Sequence, residues 1–143
     1  MKISVVVFFS IFFMMNTLAQ DKEFSAENKA VIVDNLTKGI LTDNNGLKLS
    51  SAKVLYDLID QGYLENDNGS KAMIPLLNLL KNGETDEVRI AAAVALFKLD
   101  NGIGIYQLRG VALFDDNEKV SSVCKNLYYS YHKLNGTKYF LNF

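Results

Sequence analysis

The sequence predicts an all-α protein: a short right-handed superhelix of about three stacked helical hairpins, with an irregular helical bundle as the alternative. Apolar residues recur at helical spacing in six segments, and Asn, Asp and Gly break the chain between them. Three helix starts, Ser51, Thr85 and Asn117, each place a valine three positions on, at Val54, Val88 and Val120. Those valines stand 34 and 32 residues apart. At that period two short helices make one unit, and a unit buries its apolar face only by stacking on a neighbour.

The first helix is expected after a cap at Ser25 and carries Ala30, Val33, Leu36 and Ile40. Asp43-Asn44-Asn45-Gly46 ends it as a turn. The second is expected from Ser51, with Val54, Leu55, Leu58 and Ile59 as its stripe, and Asn66-Asp67-Asn68-Gly69 is the next break. The third begins near Ser70. Its proline, Pro75, is allowed only near the start of this helix, because proline has no backbone N–H to donate. Asn82-Gly83 stops it. Thr85 caps the fourth, with Asp86 and Glu87 in the first turn where the helix dipole favours acids. The fifth, Ile103 to Phe114, carries two destabilising glycines, Gly104 and Gly110. Asn117 caps the sixth, which runs through Val120, Val123, Cys124 and Leu127 to about Lys133. Asn135-Gly136 between aromatic stretches also fits a β-hairpin over the C-terminal residues, but a helix, a turn and a packed tail is the preferred reading.

The N-terminus has a different character. Lys2 precedes a run from Ile3 to Met15 that is almost wholly apolar, and Thr17 and Ala19 supply small residues before a cleavage point. The run is shorter than the about 20 residues of a spanning helix. Residues 1–19 therefore read as a signal peptide and residues 20–143 as a single helical-repeat domain beginning at Gln20. The expected location is outside the cytoplasm, periplasmic or secreted, with no stable membrane span after cleavage. Removing Lys2 takes the formal charge from −1 to −2, which gives no general attraction to nucleic acid.

The stretch from residue 70 to 99 carries a more specific pattern. It reads Ile74-Pro75-Leu76-Leu77, then Leu79-Leu80, Asp86-Glu87-Val88-Arg89, Ala92, Ala95-Leu96 and Leu99. This resembles a HEAT repeat of the short HEAT-like kind. The resemblance implies an α-solenoid with Pro75 early in one helix and Val88 and Arg89 opening the next. It also implies that Ala92, Ala95 and Leu96 pack on a neighbour, and that Asp86 and Arg89 bridge adjacent units. The flanking units lack the matching proline, and Leu55 and Ser121 stand where the arginine would be. The function implied is non-catalytic: a protein–protein interaction or scaffolding module with a protein partner still to be identified. The alternative is a small-molecule or chromophore-binding protein, since one branch of the HEAT-like group comprises lyases that attach bilins.

The residues that carry chemistry elsewhere are sparse. Cys124 is the single cysteine, so no internal disulfide forms, and at helical spacing it reads as a core residue. His132 is the single histidine and lies about 12 Å along a helix from Cys124, beyond the reach of a catalytic pair. The Asp- and Asn-rich turns lack the ligand pattern of a calcium loop. No catalytic residue, cofactor or metal is expected. The densest aromatic group is Tyr128, Tyr129 and Tyr131. Tyr128 and Tyr131 share a helix face with Lys125 at its edge, and this patch is expected either to cover the end of the core or to touch a partner.

Overall fold

The computed structural model describes residues 24–137. The segment expected to be a signal peptide, the cleavage point expected before Gln20 and the last residues of the tail lie outside the described residues. Those described form an all-α bundle with no strand among them: α1 (Ala26–Leu41), α2 (Asn45–Asp60), a 3-10 turn (Asn68–Ala72), α3 (Met73–Asn82), α4 (Asp86–Lys98), α5 (Gly102–Phe114) and α6 (Glu118–Leu134).

The helix starts are written locally. Ser25, Asn44, Thr85 and Asn117 each accept a hydrogen bond from the backbone N–H three residues on, at 3.2, 3.0, 3.3 and 3.0 Å. Asn101 accepts from Ile103 N at 2.9 Å. Each such cap satisfies a donor that the helix itself leaves unpaired. Helix α3 has no side-chain cap, and the 3-10 turn feeds straight into it. Pro75 lies in its first turn, as expected.

One expected start is corrected. Ser51 is not a cap; α2 begins earlier, at the cap Asn44, and Ser51 lies buried inside it. The reason is a close helix crossing. A Cβ on Gly39 of α1 would come within 2.1 Å of the Ser51 hydroxyl, so this glycine and this small serine let α1 and α2 touch. Val54 is accordingly 42% exposed, whereas Val88 and Val120 are buried, and the three-valine alignment holds only for its last two members.

Helix ends are equally local. Tyr63 N donates to Leu58 O across Gly62, at φ +77, and Thr137 N donates to His132 O across Gly136, at φ +61. These left-handed glycines close α2 and α6 by returning the chain onto the last turn's carbonyls. Residues Tyr129 to Lys133 are helical, so the hairpin alternative does not form.

Consecutive helices pack as α1 on α2, α3 on α4 and α5 on α6, while α2 packs on α4 and α4 on α6. Helix α4 therefore sits at the centre. Its Ala92, Ala93, Ala95 and Leu96 are fully buried, and the alanines permit close approach on several sides. Leu55, Leu76, Leu80, Leu108, Val120 and Cys124 complete the core around it.

Candidate binding grooves beside α4

Between α4 and the turn that joins α5 to α6, polar groups converge. The Arg89 guanidinium donates to Asp115, with Nη1 on Oδ1 at 3.2 Å and Nη2 on Oδ2, and its Nε donates to Leu80 O at 2.7 Å. Both side chains are nearly covered, 14% and 16% exposed. Asp86 accepts from Asn117 Nδ2 at 2.7 Å, and Lys119 reaches Glu87 at 3.0 Å. On the other side, Asn45 of α2 donates to Glu84 at 2.8 Å, and Lys98 of α4 meets Asp60 of α2 at 2.5 Å. Arg89 and Asp86 of α4 thus each hydrogen-bond across to the turn between α5 and α6. Of their partners, the sequence marks Asn117 only as a cap and does not mark Asp115 as a bridging residue.

Burial would raise the Asp115 carboxyl, but the Arg89 guanidinium and the Asn117 backbone N–H outweigh it and hold the group below its ordinary range. Behind it, Cys124 is fully buried. Burial, helped by the Asp115 charge, pushes its thiol up to about 12, so it stays protonated and carries no nucleophile near neutral pH.

Helix α4 has one open apolar strip. Ile90, Val94 and Phe97 are half-buried at four- and three-residue spacing on a helix whose other apolar residues are buried. Two grooves flank this strip. The first, about 370 Å³, has an apolar floor of Leu49, Ile90, Ala91 and Val94, with Lys53, Tyr56 and Asp57 of α2 on one wall and Glu87 and Lys119 on the other. The second, about 350 Å³, lies at the C-terminal ends of α2, α4 and α6 and mixes Ile59, Phe97, Tyr131 and Leu134 with Lys98, Asp100 and two asparagines. A smaller polar cleft of about 190 Å³ runs beside Pro75 and the α1–α2 turn.

The tyrosine patch divides between roles. Tyr128 is 6% exposed and belongs to the core. Tyr131 is half-buried and lines the second groove. Both rings make T-shaped contacts with His132, with centroids 4.5 and 5.4 Å away, and His132 Nδ1 lies 2.6 Å from Thr137 Oγ1. The histidine thus ties the tyrosines to the C-terminal turn. Lys125 is half-buried on the same helix. The first groove was missed in the sequence. Its signal was the 90, 94, 97 spacing inside an alanine-rich helix, where polar residues would ordinarily mark an open face.

Among the described residues no group of three or more His, Cys, Asp and Glu is placed to hold a metal ion, and no helix is long and apolar enough to cross a membrane. Comparison with family models, with curated proteins and with solved structures gives no match.

Proposed function

We propose that this chain is a non-catalytic protein-binding module, exported to the periplasm or beyond, and that its six helices are three stacked hairpins of a short HEAT-like solenoid. The order of packing supports the second part: pairs α1–α2, α3–α4 and α5–α6, joined through the row α2, α4, α6. So does the Arg89–Asp115 and Asp86–Asn117 bridging between pairs.

The observation that carries the binding role is the apolar floor beside α4, edged by charges of both signs. Leu49, Ile90 and Val94 offer apolar contact, and Lys53 and Asp57 on the α2 wall fix polarity and register. The fitting occupant is a partner segment that presents apolar side chains at regular spacing with flanking acidic and basic residues. A photo-crosslinker placed at Lys53 in the producing cell tests this. It should capture one protein that Val94→Asp no longer captures while the thermal midpoint holds. Crosslinking no stronger than at an exposed residue of α1 such as Asn35 would refute the role.

A second reading rests on size. Grooves of about 370 and 350 Å³ fall at the lower end of small-molecule sites. Saturable binding of a tetrapyrrole or other apolar dye, abolished by Val94→Asp, would favour it. Export has its own test. Mature material should begin at Gln20 on N-terminal sequencing, and a retained Met1–Ala19 would remove the signal-peptide assignment.

A further inference from the structure

Helix α5 is apolar on both sides. Over Gly102–Phe114 its single charged residue is Arg109. One side, Gly104, Ile105, Leu108, Val111 and Ala112, is buried against the bundle. On the opposite side Ile103, Tyr106 and Phe114 are 63%, 70% and 82% exposed. At about 100° per residue these three and Gly110 fall within an arc of about 80°. A surface helix ordinarily turns charged residues outward there. Helix α6 does so, with Glu118, Lys119, Ser122, Asn126 and Lys133 exposed.

Gly110 is the second unusual feature. A Cβ built on it meets nothing within 4 Å, so no contact among the described residues requires a glycine. Glycine in the interior of a helix weakens it, and its usual return is close approach by another backbone. Tyr106 and Phe114 stand one turn to either side, four residues each way. The face is therefore a notch between two aromatic knobs.

We propose that this face of α5 joins two copies of the chain in a reversible homodimer, crossing at Gly110 about a two-fold axis. An isologous contact needs a surface that complements itself. Antiparallel crossing sets notch on notch and places Tyr106 of each copy against Phe114 of the other. The arc holds no charge, so like groups do not oppose across the axis. A lipid surface fits less well, because such helices carry a basic rim, whereas Asp116 lies exposed just past Phe114. Three exposed side chains of this kind offer on the order of 400 Å² per copy, below the roughly 800 Å² per partner of a standard interface. The contact is accordingly weak and reversible. The proposal concerns a different helix from the grooves and does not depend on the role given to them.

Sedimentation of the full chain, purified as the producing cell processes it, tests the proposal over a range of about 1–300 µM. The mass should rise from monomer toward dimer, and Tyr106→Asp with Phe114→Asp should weaken association by about tenfold or more with an unchanged thermal midpoint. Gly110→Cys should form an interchain disulfide on mild oxidation, because the axis brings its two copies together, while Gln61→Cys on an exposed turn should not. Cys124 is buried and does not compete. A wild type that stays monomeric throughout, or a double variant that dimerises as well as wild type, overturns the proposal. Dimers without the Gly110→Cys crosslink overturn the crossing point. A monomer that co-sediments with phosphatidylglycerol vesicles assigns the face to a membrane instead.

Discussion

Helices α4 and α5 have the same length, 13 residues, and each is apolar on more than one side. The first is the hub of the bundle, touched by α2, α3, α5 and α6. The second is covered on one side and bare on the other. An apolar helix without a polar stripe needs neighbours all round. Helix α4 finds them within its own chain by using alanine, whose small side chain lets helices approach from several directions. Helix α5 uses large residues and ends with Ile103, Tyr106 and Phe114 in solvent. The same pattern in sequence therefore marks a centre in one place and an unfilled contact in the other, and side-chain size separates the two.

The largest expected effect lies at the hub. Arg89→Ala removes the counter-charge of Asp115 and a donor to the Leu80 carbonyl, leaving a nearly buried carboxylate with only the Asn117 backbone N–H. A loss of about 3 kcal/mol in urea unfolding is expected. A loss under about 0.5 kcal/mol, the size of an ordinary surface change, would show that packing alone positions α4. Acid should weaken the same pair. Asp115 holds its proton less tightly in the fold than in the unfolded chain. Its stabilisation is therefore full above an unfolded carboxyl value of about 4 and fades as pH falls through the lower folded value. Arg89→Ala should flatten that part of the stability profile, and an equally steep decline in the variant would assign acid sensitivity elsewhere.

Next comes Ala92→Leu. Ala92 is fully buried in α4, so the added methylenes overfill the core, costing about 1–3 kcal/mol in thermal or urea midpoint. An unchanged midpoint would mean that α4 has slack at its centre and would narrow the contrast with α5. The smallest effect is expected on α5 itself. Gly110→Ala introduces no contact and should raise monomer stability by about 0.5–1 kcal/mol through helix propensity. A destabilised Gly110→Ala monomer would show that this position is more crowded than its open surroundings indicate.

What could be read from the sequence divides along the same line. Helix starts and stops were legible because capping is chemistry within three or four residues: Ser25, Thr85 and Asn117 cap as expected, and Gly136 turns the chain. Ser51 misled because a serine suits both a cap and a tight crossing, and only the opposing Gly39 decides which. Arg89 and Asp86 were recognised as bridging residues. Asp115 and Asn117 were not identified as their partners, since 26 and 31 residues separate the pairs and nothing local announces the meeting. The tyrosine patch was found, but its division was hidden. Tyr128 and Tyr131 differ by less than one turn, yet one ring lies inside and the other lines a groove, because the neighbours that cover each come from elsewhere in the chain.

The order of packing has a kinetic consequence. Each substantial helix contact joins elements that are adjacent or next but one along the chain. The first helix need not wait for the last, and the loops between successive helices are short, so the entropy cost of closing each neighbouring pair is small. Chains dominated by such local contacts fold in microseconds to milliseconds. A polypeptide threaded through a membrane pore in extended form would, with this topology, complete α1 and α2 and begin to cover their apolar faces before its last helix had emerged.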